Sequence, residues 1–278
     1  QIPYHAEKTK YQNHATELVS EAVSSGYNRI GVFSGDGTLN EVLQGIFIED
    51  QIISSEIKLI FLPAGSSCDF EKKFKNKRSL LDRIQGDDSV PIDIFKVECQ
   101  NFSGEPISRY VINNSSIGII SFANEKFNSV TGLTKILKQM SVDIGAVICG
   151  LQAITQFDPF NAEMSIDGEK IPLRSLSNTS VFKTSNFGGD MSYGIDTVQD
   201  DGQLSVVWID GTSKFGLAAM MPSLFTGTIL GKKLAHYKTC HEFELNTSDT
   251  VIVETDGENI GTPPIKYSIL PKALQVII

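Results

Sequence analysis

Cysteines and long apolar segments are scarce in this sequence, and each shortage excludes a class of protein. The four cysteines lie far apart in the 278 residues and form no Cys-x-x-Cys pair, which argues against a disulfide framework or a zinc site and favours reduced thiols. The longest apolar run, Phe215–Leu230, contains Pro222 and Gly227 and is too short and interrupted to span a bilayer. No signal peptide is visible. We therefore expect a cytoplasmic protein.

Positive charge is also in short supply. There are 24 Lys and Arg residues against 33 Asp and Glu, which gives a formal net charge of −9. An acidic protein of this kind is not expected to bind nucleic acid broadly or to adhere generally to anionic membranes. The one basic cluster, Glu71–Arg78, holds five cations and one aromatic residue. It can serve as a transient peripheral contact with anionic lipid headgroups, or it is an ordinary solvated helix face.

Two glycine-containing turns follow apolar strands in the first quarter of the chain. Ser34–Thr38 follows the predicted strand Arg29–Phe33 and leads into a helix predicted over Thr38–Glu49, and Gly65–Asp69 follows the predicted strand Ile57–Leu62. Glycine lets a backbone approach a ligand closely, and the unpaired N–H groups at a helix start attract phosphate. Because ligands of parallel sheets lie outside the carboxyl ends of the strands, both turns should converge on one crevice.

The first turn also carries a carboxylate, Asp36. A carboxylate is unsuited to a bare phosphate site, so it indicates a bridging partner, either Mg²⁺ or a ribose hydroxyl. A nucleotide with a metal ion is the first hypothesis for this turn. A tight turn in which the aspartate is only structural is the alternative.

The two parts of the chain differ in pattern, which predicts two domains. In residues 1–91 helices and strands alternate, starting with a helix over His5–Ser25, and this order indicates an α/β domain with parallel strands. In residues 92–271 short branched runs separated by Asp-Gly turns indicate an antiparallel, sheet-rich domain, interrupted by helices at about Leu133–Ala153 and Lys214–Gly231. The predicted strands after residue 91 are Asp93–Glu98, Arg109–Asn113, Ala162–Ile166, Ser180–Thr184, Leu204–Trp208, His241–Leu245, Thr250–Glu254 and Leu274–Ile278.

Four motifs resemble, in order, those of the diacylglycerol kinase catalytic-domain superfamily, which includes bacterial soluble lipid kinases and sphingoid-base kinases. They are Ser34–Val42 (SGDGTLNEV), Leu62–Phe70 (LPAGSSCDF), Asn186–Leu204 with its Gly-Gly and Asp-Asp-Gly elements, and Val253–Glu258 followed by Pro263. The resemblance implies an NAD kinase-like fold, with an N-terminal α/β nucleotide-binding domain and a C-terminal β-sandwich-like domain. It also implies that residues 272–278 return to the first domain.

The resemblance further implies a lipid kinase that uses ATP and Mg²⁺ to phosphorylate the hydroxyl of a diacylglycerol- or sphingoid-like lipid. Asp36 and Asp69 would then organise the nucleotide and its Mg²⁺. The other nucleotide-binding candidates supply donors or turn backbone, and they are Ser34, Gly35, Gly37, Thr38, Asn40, Gly65 and Ser66. The hydroxyl residues among them are equally candidates for helix caps.

A second acidic element, Asp256-Gly257-Glu258, follows an apolar strand. Two carboxylates this close suit a general base and a group that orients it, although an Asp-Gly hairpin turn is the alternative from the sequence alone. The resemblance implies that Asp256 deprotonates the lipid hydroxyl with Glu258 assisting, or that Glu258 is the formal acceptor. The sequence leaves this choice open.

A third acidic position, Asp201, with backbone oxygens near Val198 and Gln203, resembles a structural Mg²⁺ site of the superfamily. Oxygen ligands are those that Mg²⁺ prefers. An ordinary Asp-Gly turn is the alternative reading.

Two other functions stay open, a kinase with a soluble acceptor such as NAD and a degenerate member that binds lipid or nucleotide without turnover. Cys68 stands where the superfamily has Asn, and the superfamily's Asn-Pro-x-Ser-Gly phosphate loop would precede Gln1. Both points favour the degenerate member. The apolar stretches Ile136–Ile154 and Phe215–Leu230 can line an acyl-chain groove or belong to the core. A homodimer is compatible with the sequence.

Overall fold

The computed structural model describes residues 3–74, 77–129 and 142–278, and most of its strands join one mixed sheet of twelve strands. The helices in the described residues are α1 His14–Ser24, α2 Asp36–Ile46, α3 Asp69–Lys72, α4 Leu80–Gln85, α5 Ile119–Ser129, α6 Val142–Gln156 and α7 Lys214–Phe225. The strands are β1 Arg29–Ser34, β2 Phe47–Ile48, β3 Gln51–Ile52, β4 Lys58–Pro63, β5 Val90–Gln100, β6 Pro106–Val111, β7 Asn114–Gly118, β8 Phe160–Ile166, β9 Glu169–Phe182, β10 Asn186–Phe187, β11 Met191–Ser192, β12 Leu204–Asp210, β13 Ala235–Cys240, β14 Glu242–Asn246, β15 Val253–Thr255 and β16 Glu258–Ile277.

The parallel part of the sheet lies at the N-terminal end of the molecule. Strands β1 and β4 pair in parallel with Phe33 opposite Leu62, and the end of β16, Gln275–Ile277, adds a third parallel strand beside β4. Helix α2 packs over these strands through side chains that are fully buried, such as Leu39 and Ile46. The carboxyl ends of β1 and β4 are therefore neighbours, and the turns that follow them lie side by side.

The antiparallel part forms the rest of the sheet and contains the larger core. Strand β9 pairs with β7, β8 and β12, and β14 joins β8 to β16. Each strand that the sequence predicts after residue 91 overlaps an observed strand, with bounds that differ by several residues. The core between these strands contains Phe95, Phe243 and Tyr267, all fully buried. The fold is thus an α/β part joined to a strand-rich, β-sandwich-like part.

Two predicted helices of the first part have different bounds. The helix predicted over His5–Ser25 begins only at His14, because residues 5–12 are exposed and offer no apolar face, and Asn13 has a left-handed backbone with φ 65°. The helix predicted over Thr38–Glu49 begins at Asp36 and ends at Ile46. Phe47 is extended and starts a short hairpin with β3.

Sequence reasoning also missed or misplaced helices of the second part. It missed α5, which follows β7 directly at Gly118. Of the helix predicted at about Leu133–Ala153, residues 133–141 lie outside the described residues, and α6 continues to Gln156. Helix α7 ends at Phe225, and Gly227 follows with a left-handed backbone, φ 62°.

None of the described helices is long and apolar enough to cross a membrane. No disulfide joins the four cysteines, all of which lie in described segments.

A buried ion pair lies where the two parts of the fold meet. The Lys183 ammonium lies 2.8 Å from an oxygen of Asp93, and both side chains are excluded from solvent. Asp93 also accepts hydrogen bonds from the backbone N–H groups of Gly202 and Lys272, at 2.8 Å each. One carboxylate on β5 therefore holds a loop of the second part and the C-terminal strand.

The two glycine turns contact each other backbone to backbone. A Cβ atom on Gly65 would lie 2.5 Å from Cα of Gly35, whereas a Cβ atom on Gly37 would meet nothing within 4 Å. Only a residue without a side chain fits at position 65, so this glycine sets how closely the turns after β1 and β4 approach.

We expect Lys183→Met to lower the free energy of unfolding by about 3–5 kcal/mol, because it leaves the Asp93 carboxylate buried without a cation. The matched control is Lys170→Met, whose ammonium pairs with Glu163 on the surface, where an ion pair contributes less than about 1 kcal/mol. Urea unfolding of both variants measures the difference. Equal losses in the two variants would contradict a central role for the buried pair.

We expect Gly65→Ala to lower the free energy of unfolding by about 1–3 kcal/mol, since the added methyl group overlaps the backbone of Gly35. Gly37→Ala lies in the first turn of α2 with open space around it, so it should be neutral or stabilising by up to about 1 kcal/mol. Thermal unfolding of the pair tests the contact. A Gly65→Ala variant as stable as Gly37→Ala would show that the turns do not touch.

Candidate active site

A deep cleft begins at the two glycine turns and continues between the sheet and helices α5, α6 and α7. Its volume is about 1030 Å³. Polar residues from the turns and the strand ends line one region, and they are Gly35, Asp36, Gly37, Gly65, Ser66, Ser67, Asp69, Asn113, Asn114 and Asp256. Apolar residues line the other region, and they include Ile119, Ile120, Phe127, Ile154, Phe187, Ile209, Leu217, Met220, Leu224 and Ile229. The predicted convergence of the turns on one crevice thus occurs in the fold.

Asp36 joins the two turns. One of its carboxylate oxygens accepts the backbone N–H of Asp69 at 2.8 Å, and the other accepts that of Phe70 at 3.0 Å. The amide of Asn113 donates to the second oxygen at 3.3 Å. Asp36 therefore accepts hydrogen bonds from the N–H groups at the start of α3. It thus has the structural role that the sequence analysis gave as the alternative. A carboxylate has about four acceptor positions, so one remains for a ligand.

Asp69 lies at the start of α3 and faces the cleft. Its carboxylate accepts a hydrogen bond from the Lys72 ammonium at 2.9 Å. Burial raises the pKa of Asp69 to about 6, a shift that Lys72 opposes and the neighbouring Asp36 reinforces. Lys72 also donates to the carbonyl oxygen of Gly189. This lysine of the basic run thus contacts the cleft residue Asp69 and holds the Gly-Gly turn against α3.

Lys73, the next residue, is also directed inward. Its ammonium lies 4.3 Å from the ring centroid of Phe70 and donates to the carbonyl oxygen of Ile112. Burial lowers the pKa of Lys73 to about 7, and nearby Asp256 opposes that shift. Since Lys72 and Lys73 both turn inward, and residues 75–76 lie outside the described residues, the run Glu71–Arg78 is not one solvated basic face.

Asp256 lies at the polar end of the cleft and is 9% exposed. Its carboxylate accepts four hydrogen bonds at 2.7–3.2 Å, from the Asn40 amide and from the backbone N–H groups of Ile112, Asn113 and Asn114. Burial raises the pKa of Asp256 to about 6, while these donors stabilise the ionised form and oppose the shift. Asp256 is therefore a carboxylate held in one orientation and poised to change its charge not far below neutral pH.

Seven predicted site residues are not among the described residues that line the cleft: Ser34, Thr38, Asn40, Glu258 and the three residues assigned to a structural Mg²⁺, Val198, Asp201 and Gln203. The Asn40 amide points into the interior toward Asp256 and the carbonyl oxygen of Tyr110. The Ser34 hydroxyl donates to that of Thr38 at 2.8 Å. The Glu258 side chain lies at the surface, where partial desolvation and then the charge of nearby Glu41 raise its pKa. Asn40, Ser34 and Thr38 therefore act on the framework of the site, and Glu258 stands outside it.

The predicted structural Mg²⁺ ligands surround a lysine. The Lys183 ammonium donates to an Asp201 oxygen at 2.8 Å and to the carbonyl oxygen of Gln203 at 2.9 Å. Val198 is 54% exposed and has no part in these contacts. The ammonium thus occupies two of the three oxygens that the sequence assigned to a metal, so these residues do not fit a resident ion in this arrangement. The structural Mg²⁺ site that the resemblance implies at Asp201 stays a prediction.

The residues at the turns fit an ion that arrives with phosphate. Mg²⁺ at phosphoryl-transfer sites keeps several waters and binds one or two carboxylates plus phosphate oxygens. Asp36 and Asp69 are two such carboxylates beside one cleft. Within the described segments no group of three or more His, Cys, Asp or Glu side chains is placed to hold a metal, so a cage made of side chains alone does not form there.

Sequence reasoning missed three residues of the cleft. Asn113 links Asp36 to Asp256, because its side chain donates to the first and its backbone N–H to the second. Asn114 donates its backbone N–H to Asp256 and accepts that of Asp256 in return. Glu254 is 3% exposed, and burial raises its pKa to about 8. The sequence contains two signals for these residues. One is the polar pair Asn113-Asn114 at the end of a predicted strand, and the other is Glu254 within a predicted apolar strand.

Two family models match the chain. Residues 1–97 match the diacylglycerol kinase catalytic domain. Residues 116–278 match the YegS C-terminal NAD kinase beta sandwich-like domain. These matches follow the two parts of the fold in their order along the chain.

Curated relatives are similar over almost the whole chain at low identity. The diacylglycerol kinase of Mycobacterium tuberculosis (strain ATCC 25618 / H37Rv) is 23% identical over 274 residues, which cover 95% of this chain and 81% of the relative. The diacylglycerol kinase of Bacillus subtilis (strain 168) is 23% identical over 269 residues, covering 95% and 82%.

A solved structure has the same fold. The crystal structure of a diacylglycerol kinase from Bacillus anthracis str. Sterne superposes with a TM-score of 0.64 at 20% identity, covering 97% of this chain and 82% of that one. Because one family model alone spans more than half of the chain, the protein belongs to the lipid-kinase family in which a diacylglycerol kinase catalytic domain precedes a YegS C-terminal, NAD kinase-like β-sandwich domain.

Proposed function

We propose that the protein uses ATP and Mg²⁺ to phosphorylate the hydroxyl group of a diacylglycerol- or sphingoid-like lipid. The observation that carries this proposal is the continuity of the cleft, which joins the glycine turns and Asp256 to a compartment lined by apolar side chains. The polar region of the cleft suits a nucleotide, and the apolar region suits an acyl chain. Phosphoryl transfer depends chiefly on positioning and charge stabilisation, and one cleft brings both substrates together.

The polar region supplies the nucleotide end of the proposal. Because Gly35, Gly37 and Gly65 have no side chains, a phosphate can approach the backbone of the turns closely. The N-terminus of α2 directs unpaired N–H groups and a positive dipole toward the cleft. Asp36 and Asp69 would hold Mg²⁺ together with phosphate oxygens. The ion would neutralise the phosphate charge and orient the γ-phosphate.

Asp256 is the general base of the proposal. To accept the proton of the lipid hydroxyl, ionised Asp256 would exchange its hydrogen bond with the Asn40 amide for one with that hydroxyl, while the N–H groups of Ile112, Asn113 and Asn114 hold the carboxylate in place. Asp256 lines the cleft, whereas Glu258 is exposed and does not belong to the described lining. The geometry therefore favours Asp256 over Glu258 as the acceptor of the proton.

The apolar region supplies the lipid end. Both apolar stretches noted in the sequence contribute to it, through Ile154 of α6 and through Leu217 and Leu224 of α7. This compartment favours a lipid over a soluble acceptor such as NAD, since burial of apolar surface stabilises binding by about 25 cal/mol per Å². Phe215 of α7 is 89% exposed and Leu151 of α6 is 48% exposed, which supports transient contact with a membrane surface on these two helices.

The degenerate, non-catalytic alternative depended partly on Cys68. Its thiol donates to the carbonyl oxygen of Gly65 at 3.4 Å, and its backbone is left-handed with φ 48°. The cysteine thus closes the second turn locally and leaves Ser66 and Asp69 facing the cleft. This contact supports a turn that keeps its shape without an asparagine at this position.

We expect the wild-type protein to transfer labelled phosphate from ATP–Mg²⁺ to a lipid in a panel of diacylglycerols, long-chain bases and ceramides presented in vesicles. Asp256→Asn should lower kcat by about 10²–10⁴-fold, the range typical of a general base. The matched control is Asp88→Asn, an exposed carboxylate paired with Arg78, which should keep full activity. Unfolding curves of all three proteins separate lost chemistry from lost folding.

No transfer from folded wild-type protein to any lipid would contradict the proposed function. Transfer to NAD and to no lipid would favour the soluble-acceptor alternative. Full activity in Asp256→Asn would remove Asp256 from the mechanism and return the role to Glu258.

The pH dependence should report Asp256, and Asn40→Ala separates it from Asp69, whose pKa also lies at about 6. The base works only when ionised and its pKa lies at about 6, so kcat/KM should fall as the pH drops through 6 and level off above it. The Asn40 amide stabilises the ionised form, so Asn40→Ala should raise the pKa and move the acid limb to higher pH. Rates measured from about pH 5 to about pH 8 test both points. An acid limb that stays in place in Asn40→Ala would assign it to another group.

A further inference from the structure

The Lys183 ammonium lies between three oxygen atoms that come from separate segments of the chain. It donates to Asp93 and to Asp201 at 2.8 Å each, and to the carbonyl oxygen of Gln203 at 2.9 Å. An ammonium group has three N–H donors, so each donor of Lys183 has an acceptor. The Lys183 side chain is 2% exposed and that of Asp93 is fully buried. A single positive charge thus lies at the centre of a largely buried oxygen cluster.

These three oxygens are also ligands of the kind that a divalent cation prefers. Carboxylates and backbone carbonyl groups bind Mg²⁺ and Ca²⁺. The structural Mg²⁺ site that the resemblance implies includes Asp201 and Gln203, and the fold adds Asp93 of β5 to them. An ion bound to these atoms would lie about 2.0–2.6 Å from each of them, in the space that the ammonium fills. The ammonium and an ion cannot occupy this space together.

The charge of the two carboxylates is balanced by donors of the chain itself. The ammonium supplies one positive charge, and backbone N–H groups supply further hydrogen bonds. Gly202 and Lys272 donate to Asp93 at 2.8 Å each, and Gln203 donates to Asp201 at 3.0 Å. Hydrogen bonds of this kind stabilise the ionised form of a carboxyl group. The cluster is therefore complete without a metal ion.

Lys183 is also connected to the cleft through its backbone. Its N–H donates to the carbonyl oxygen of Asn113 at 2.8 Å. Asn113 in turn donates to Asp36 through its side chain and to Asp256 through its backbone N–H. The contacts that hold the Lys183 ammonium therefore also restrain Asn113 and, through it, the two cleft carboxylates.

We propose that the Lys183 ammonium is the structural cation of this protein and takes the place of the divalent ion that the resemblance implies at Asp201. The junction between the two parts of the fold then keeps its shape without a bound metal. Removal of the lysine side chain leaves the three oxygens around an empty space, so the same cluster becomes a site for a divalent cation. The inference does not depend on the proposed phosphoryl transfer, in which Mg²⁺ arrives with the nucleotide.

The variant Lys183→Ala opens this space and keeps all three oxygens. In EDTA it should unfold at a lower temperature than the wild-type protein, because two carboxylates lose their cation. Saturating Mg²⁺, Ca²⁺ or Mn²⁺ should raise its unfolding temperature by at least about 4 °C. The wild-type protein and the matched control Lys170→Ala, which removes a surface ammonium paired with Glu163, should rise by less than about 1 °C.

A double variant separates this cluster from the other acidic groups of the protein. Lys183→Ala combined with Asp201→Asn removes one charged ligand, so most of the cation-dependent rise should be lost. No rise in Lys183→Ala would overturn the inference, since the three oxygens would then not form a cation site. An equal rise in Lys170→Ala or in the double variant would overturn it as well, because the cation would then act elsewhere.

A second measurement uses the wild-type protein alone and does not require a variant to fold. Crystals grown with Mn²⁺ locate bound ions by anomalous scattering. We expect no Mn²⁺ peak within coordination distance of Asp201, and the Lys183 ammonium should stay within hydrogen-bond distance of Asp93. A Mn²⁺ ion bound by Asp201 and the carbonyl oxygen of Gln203 would overturn the inference and restore the structural metal that the resemblance implies.

Discussion

The site depends above all on the four hydrogen bonds that the Asp256 carboxylate accepts. One donor is the Asn40 amide on α2, and the others are three successive backbone N–H groups after β6. Asn40 belongs to the α/β part, and the three N–H groups lie where β6 leads into β7. Asp256 follows β15 of the strand-rich part. A buried carboxylate with several N–H donors keeps one orientation. The proposed base therefore stands in a fixed place relative to the glycine turns.

Two further carboxylates join separate parts of the chain in the same way. Asp36 accepts the N–H groups that start α3, and Asp93 binds Lys183 together with two backbone N–H groups. The framework of the cleft is thus built largely from buried carboxylates and backbone donors that need no ligand. Such a cleft exists before its substrates arrive, which lowers the cost of ordering them for phosphoryl transfer.

Much of this arrangement was readable from the sequence, and the reasons for the exceptions are physical. The glycine turns after two apolar strands predicted one crevice, because parallel strands end at one edge of a sheet. The inward direction of Asn40 and the pairing of Lys183 with Asp93 depend on contacts between residues far apart in the chain, which no local pattern encodes. Glu254 looked like one polar residue in a strand, and its burial in the cleft wall, which raises its pKa, depends on the same kind of long-range contacts.

The most direct test of the central claim is a crystal structure with a non-hydrolysable ATP analogue, Mg²⁺ and a lipid alcohol bound together. The account predicts that the γ-phosphate lies between the Gly35 and Gly65 turns and that the lipid hydroxyl lies against Asp256. The alkyl chain should then run between α5 and α7. A lipid bound outside this cleft, or a hydroxyl remote from Asp256 while the nucleotide occupies the turns, would contradict the account.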